Sequence, residues 1–334
     1  MLGYLLPCLR GDYGGAFCSR VDEPPKVKEF GKTLGEGSFA VVSLVRDVAD
    51  REFALKRSKD ILADQNILTE HAILLFLNQQ SGRGQGYIVQ QEGFLFYEER
   101  ASLLLELGKE TLYQKIREGY PFSFVAVRNI VRDILLGLSF LKQHGVIHGD
   151  LKTDNILFFS HTIKIVDFGC AFYSQEPGEC MLNQVATPPE KLVGIHPYTH
   201  AVDMWGVGLL IVAMMARQNC FMWTTPGDLA LQHEVVVGES YQTELYYKSS
   251  ENGKKMIKNN RNETAYYFPP SLKKVFESSE EEDGDVKVNS SLVDLVKKML
   301  ALDPEKRIDP LVSLNHPFFR SQSQDCCLFA WLDP

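Results

Sequence analysis

The hydrophobic pattern changes its period once along the chain, at Gly108, and this restricts the fold to two unlike parts in series. Before it the signals are mostly those of strands. Phe39–Val45 alternates and is rich in branched side chains, and Glu52–Lys56 follows a charged turn from Arg46 to Arg51, so the pair predicts a hairpin. Ile67, Glu70, Ile73, Leu74 and Leu77 then recur at three- and four-residue spacing and predict a helix over 67–77, which Gly82, Gly84 and Gly86 interrupt. Two more strand-like runs, 93–97 and 102–106, end at Leu107-Gly108. Beyond that point the chain reads as helical: 111–119, then 123–144 with Val127, Ile130, Val131, Ile134, Leu135, Leu138 and Leu141 on one face. The fold class is therefore α+β, with a small β-rich part ahead of a larger α-rich one.

Charge and cysteine usage narrow the function classes. The 35 Lys and Arg against 43 Asp and Glu leave a net charge of −8, which argues against nucleic acid as a partner. Seven cysteines without a CxxC pair fit neither a zinc site nor an even disulfide framework. The apolar run 207–216 is too short to span a bilayer and reads as a buried core helix, so no transmembrane segment is expected. The N-terminal stretch, broken by Pro7, does not read as a signal peptide. Cys8 and Cys18 stay open to acylation. The expected setting is cytoplasmic or nuclear.

The chemistry concentrates in two segments. Val146–Leu157 contains Asp150, Lys152 and Asn155, and Ile163–Gly169 ends in Asp167-Phe168-Gly169. One carboxylate can accept a hydroxyl proton, the lysine can steady moving negative charge, and Asn155 with Asp167 supplies oxygen ligands for a hard cation. Upstream, Leu34-Gly35-Glu36-Gly37 lies between strand-like segments, Lys56 ends a strand, and Glu70 lies on the next helix.

With these elements in this order, the chain resembles the eukaryotic-type protein kinases over about residues 30–320, through HxDxKxxN followed by DFG. The resemblance implies a bilobal kinase fold, ATP and Mg²⁺ as cofactors, and protein substrates. Leu34, Gly35 and Gly37 would belong to the loop over the nucleotide. Lys56 would hold the α- and β-phosphates and pair with Glu70. Asp150 would accept the substrate proton, Lys152 would steady the γ-phosphate, and Asn155 and Asp167 would bind Mg²⁺. Glu106 and Leu107 would offer backbone groups to adenine between Val42, Ala54 and Leu157. Glu190 and Arg307 would form a buried ion pair, and His148, Asp203 and the solvated Asp154 would take no direct part.

The resemblance divides the chain into an irregular tail (1–27), an N-lobe (28–107), a C-lobe (108–320) with a polar insertion at about 238–290, and a C-terminal tail (321–334). The insertion, with its acidic run at 280–285, reads as solvated, and a regulatory protein partner would use it. The sequons at Asn262 and Asn289 read as chance. Two departures stand out. Gly149 replaces the family's arginine before the catalytic aspartate, removing the usual reader of activation-loop phosphate, and Ala40 replaces the third glycine of the phosphate loop. Between Gly169 and Pro188 the candidate phosphoacceptors are Tyr173, Ser174 and Thr187. Lys152, two after the base, is the Ser/Thr arrangement. His148-Gly149-Asp150 faintly resembles the NF-κB-inducing kinase, and the closing LDPEKRI the replication-initiation and cyclin-dependent groups. The alternative is a pseudokinase scaffold, which commonly lacks one of Lys56, Asp150, Asn155 and Asp167. All four are present.

Overall fold

The computed structural model describes residues 25–160, 162–174, 186–217, 225–259, 271–277 and 286–320. Cys8, Cys18, Asn262, the acidic run and the C-terminal tail lie outside them, as does the side chain of Asn289.

The first lobe is a five-stranded antiparallel sheet in the order β1-β2-β3-β5-β4. Its strands are β1 (Val27–Glu36), β2 (Ala40–Asp47), β3 (Glu52–Ser58), β4 (Gln91–Tyr97) and β5 (Arg100–Glu106). Register sets its two faces. Lys56 lies opposite Val42 and Leu103, and Ala54 opposite Leu105, so these five side chains share one face. Val45, Phe53, Leu55 and Leu104 bury the other. Helix α1 (Ile61–Asn78) packs beside the sheet and starts earlier than its periodicity predicts. Asp60 caps it by accepting Ala63 N–H at 2.8 Å, whereas Ile61 and Leu62 are exposed apolar residues that hide the start from a periodicity reading.

The second lobe is built on α3 (Phe124–Gln143), which follows α2 (Leu112–Arg117) and has Ser123 as its N-cap. All seven residues predicted to share one face of α3 are buried. Two short antiparallel pairs lie beyond it: β6 (Val146–Ile147) with β9 (Phe172–Tyr173), and β7 (Ile156–Phe158) with β8 (Ile163–Ile165). The chain continues through α4 (Pro189–Leu192), α5 (Ala201–Ala216) and α6 (Pro226–Val237). It then forms α7 (Glu244–Lys248), α8 (Glu251–Asn259), α9 (Leu272–Glu277), α10 (Val286–Met299), α11 (Pro310–Ser313) and α12 (Pro317–Arg320). Helix α5 is the apolar run at 207–216, extended at its start, and most of it is buried.

The stretch read as a polar insertion departs from that expectation at several of its described positions. Leu245, Ile257, Leu272, Val275 and Phe276 enter the main core. Each short helix buries only a narrow strip, so the average composition stays polar while the packing does not.

The expected ion pair closes this lobe. Arg307 Nη1 and Nη2 meet Glu190 Oε1 and Oε2 at 2.7 and 2.6 Å, with both side chains buried. The remaining guanidinium donors reach the carbonyls of Ala301, Ala201 and Leu302, so all five are satisfied. Arg307→Ala would leave Glu190 charged and alone in the core, at a cost of about 3–5 kcal/mol. The expected fall in melting temperature is roughly 10 °C. Calorimetry giving a value within about 2 °C of wild type would refute the pairing as a stabilising element.

A half-buried carboxylate carries a pH signature. Asp133 of α3 is half-buried, and burial pushes its pKa up to about 7, against the pull of Arg132 and of hydrogen bonds from Tyr87, Thr162 and Ile163. The folded pKa exceeds the ordinary value of 3.8, so the native state holds a proton that the unfolded chain releases. Its stabilising contribution is full below that ordinary value and is lost as pH rises through about 7. Asp133→Asn should therefore melt higher than wild type at about pH 8.5, with the gap closing towards pH 4. A gap that does not change with pH would contradict this.

Candidate active site

The Lys56 face of the sheet looks towards the second lobe, because Lys56 reaches Asp167. Lys56 Nζ donates to Glu70 Oε2 at 2.5 Å and to Asp167 Oδ1 at 2.7 Å. Glu70 is fully buried, and its other oxygen accepts Phe168 N–H at 3.2 Å. Burial alone would lower the Lys56 pKa, but the Asp167 and Glu70 carboxylates outweigh it and raise it. Burial works the other way on Asp167, yet Lys56, Lys152 and His148 bring that carboxyl down to about 2. Glu70 is pushed up by burial, which Lys56 offsets in part.

Asp167 adopts left-handed backbone angles (φ 66°, ψ 74°). Aspartate is among the few non-glycine residues that tolerate them. The conformation is held on both sides. Phe168 is buried against His148, ring centroids 4.9 Å apart, and Asp167 Oδ1 accepts Gly169 N–H at 3.4 Å.

The segment that carries Asp150 hangs from α5. Asp203, buried in its first turn, accepts His148 N–H and Gly149 N–H with separate oxygens, each at 2.9 Å. Gly149 has φ +77°, which glycine adopts without a Cβ penalty. His148 donates through Nε2 to Val166 O at 3.0 Å and accepts Asp150 N–H at Nδ1 at 3.3 Å, so it is a structural link, as expected. Asp150 Oδ2 accepts Lys152 Nζ at 2.6 Å and Asn155 Nδ2 at 3.3 Å. Asp150 Oδ1, also buried, has no hydrogen-bond partner among the described residues. Burial would lower Lys152, but Asp150 outweighs it and raises the pKa. Asp154 is exposed.

Asn155 points its amide nitrogen at Asp150 O, 2.8 Å away, which turns its side-chain oxygen the other way. Asn155 and Asp167 thus offer the oxygen donors that suit Mg²⁺. Among the described residues there is no cluster of three or more His, Cys, Asp or Glu that could hold a metal ion.

Val42, Ala54 and Leu157 are partly buried, the first two on the Lys56 face. A Cβ at Gly108 would lie 2.3 Å from Leu157 Cδ2, so any side chain there would force Leu157 to move where the two lobes join. Sequence reasoning marked this glycine only as a boundary. Glu106 is more internally engaged than expected: its carboxylate pairs with Lys164 at 2.6 and 2.8 Å, and its N–H donates to Gln90 O. Lys164 was missed because one lysine in a strand carries no spacing signal. Leu34, Gly35 and Gly37 are exposed. A Cβ at Gly35 would meet nothing within 4 Å, and at Gly37 only Ala40 O at 3.9 Å, so the fold itself does not demand these glycines. Ala40, in place of a third, is buried as β2 begins.

Of the three candidate phosphoacceptors, Tyr173 is half-buried in β9 and Thr187 is buried. Ser174 N–H donates to Gly145 O at 2.8 Å. Residues 175–185 lie outside the described segments.

Residues 28–319 match the Protein kinase domain family. The chain is 26% identical to serine/threonine-protein kinase prp4 of Schizosaccharomyces pombe, covering 86% of this chain and 65% of that protein. It is 28% identical to cell division control protein 2 homolog 3 of Trypanosoma brucei brucei, over 86% and 89%. With serine/threonine kinase NLK of Caenorhabditis elegans the identity is 27%, over 91% of this chain but 49% of the relative. The chain thus spans less than two thirds of the length of prp4 and of NLK. A solved kinase domain superposes with a TM-score of 0.72 at 20% identity, covering 86% of this chain and 94% of that one, and shows the same fold.

Proposed function

Because the chain belongs to the protein kinase family, we propose that it is an active serine/threonine kinase that transfers the γ-phosphate of ATP to hydroxyls of protein substrates. The observation that carries this reading is Asp150. Its Oδ2 is held by Lys152 and Asn155, so the carboxylate is fixed in orientation, as a base that must meet a hydroxyl proton requires, and Oδ1 keeps an unused acceptor site among the described residues. Leu34, Gly35 and Gly37 would lie over the nucleotide, the glycines letting the backbone approach phosphates. Val42, Ala54 and Leu157 would enclose adenine. With its N–H engaged, Glu106 would face the base through its carbonyl, and Leu107 through its backbone.

Lys56, held cationic by Glu70 and Asp167, would orient the α- and β-phosphates. Lys152 would balance charge on the moving phosphoryl group and hold the Asp150 carboxylate in place. Asn155 and Asp167 would hold Mg²⁺, which when bound neutralises phosphate charge. This pre-set electrostatic frame is worth most where charge develops. Among the described residues no helix is long and apolar enough to cross a membrane. We infer a cytoplasmic or nuclear setting from the use of ATP and the unpatterned cysteines.

Lys56→Met and Asp167→Asn should each remove transfer of radiolabelled phosphate from ATP while the fold, read by circular dichroism, is kept. Full activity in both variants would end the kinase reading. A wild-type chain that binds ATP without transferring phosphate would instead be a pseudokinase scaffold.

Gly149 adds a regulatory expectation. With no guanidinium beside Asp150, an unphosphorylated loop strands no charge there. Phosphatase-treated protein, with Tyr173, Ser174 and Thr187 bare by mass spectrometry, should keep its turnover. A loss of more than about tenfold, or roughly 1.4 kcal/mol in the barrier, restored by rephosphorylation, would show that another cation has replaced the arginine.

A further inference from the structure

Helix α1 carries Glu70, so its placement decides whether Lys56 is paired. The C-terminal end of the helix is tied to the strand side by Asn78, which donates to Val89 O at 3.2 Å and accepts Gln91 N–H at 2.7 Å. His71 stacks on Phe94 of β4 with ring centroids 4.4 Å apart. The N-terminal end is held differently. Ile61 and Leu62 are 71% and 88% exposed, so of the first turn's apolar residues only the small Ala63, at 4%, is buried. Asp60 caps the helix, but its bond is to the helix itself.

Asp64 joins the helix start to the sheet. Its Oδ1 accepts the Ser58 hydroxyl at the end of β3 and Ala101 N–H in β5, the latter at 3.0 Å. The paired residues of β3 and β5 end with Arg57 opposite Ser102, so Ser58 and Ala101 are the next positions along the two strands. The Asp64 carboxylate stands where another rung of the ladder would be. Ser58 and Ala101 are 2% and 0% exposed, so water cannot replace an acceptor lost at this point. Asp64 precedes Glu70 by six residues, about 9 Å along the helix axis. A swing at the start of the helix therefore displaces Glu70 from Lys56.

We propose that Asp64 is a positioning residue for phosphoryl transfer: by bridging β3 and β5 it holds α1 where Glu70 meets Lys56. The proposal rests on the kinase reading above. Its element of regulation is that the helix placement is built into the chain.

The test uses the full chain as wild type, Asp64→Ala and Asp64→Asn, at a temperature well below melting. Hydrogen exchange over residues 61–70 reports helix placement, and steady-state kinetics give kcat and KM for ATP. Asp64→Ala should speed exchange in 61–70 and lower kcat by at least about tenfold. Asp64→Asn keeps an acceptor oxygen and should stay within about threefold of wild type. Wild-type exchange in Asp64→Ala would overturn the proposal. So would an Asn variant as impaired as the Ala variant, since charge rather than the bridge would then matter. A lower melting temperature with unchanged kcat would reduce Asp64 to a structural role and overturn it as well. If the wild type transfers no phosphate, the kinase reading fails on its own, and the exchange comparison still decides whether Asp64 holds the helix.

Discussion

One fully buried carboxylate, Glu70, holds the two lobes in register. Its oxygens are divided between the Lys56 ammonium and the backbone N–H of Phe168, so a strand of the first lobe, a helix and a loop of the second meet at a single group. A buried charge is tolerated only when paired and hydrogen-bonded, and here both conditions need all three elements in place. The interaction therefore works as a conditional joint. It forms when strand, helix and loop are correctly disposed, and the same disposition brings Lys56 to Asp167.

Asp203 does for the second lobe what Glu70 does between lobes. It too divides its oxygens, here between two successive backbone N–H groups, and so fixes the path of the chain into Asp150. That path includes the positive φ of Gly149, which a side chain would make costly. Glycine at position 149 thus leaves the backbone beside Asp150 unstrained where a side chain would strain it.

Much of this was legible in the sequence because it repeats with period or stands at fixed spacing. The buried face of α3 follows from its apolar periodicity, and Asp150, Lys152, Asn155 and Asp167 lie close together in the chain. The pairing of Lys56 with Glu70 and of Glu190 with Arg307 came from family resemblance, since no local pattern links residues so far apart. What stayed hidden had physical reasons. The start of α1 is masked by exposed Ile61 and Leu62. Helices α7, α8 and α9 bury too few residues each to lift their surroundings out of a polar average. The Asp64 bridge, the Lys164 pair with Glu106 and the tight fit of Gly108 on Leu157 exist only in three dimensions.

The Glu190–Arg307 pair also bears on how the chain is made. The partners are 117 positions apart, and Arg307 draws its other acceptors from residues 201, 301 and 302. During synthesis Glu190 emerges from the ribosome long before its cation does, so the growing C-lobe passes through a stage with that carboxylate unmatched. Contacts of such separation must meet the cost of closing a long loop before they return any stabilisation. The N-lobe sheet, whose pairings are mostly between neighbours in sequence, has no such wait. Nascent chains should therefore carry a formed first-lobe sheet ahead of an open second lobe, and it is the second lobe that would call on chaperones.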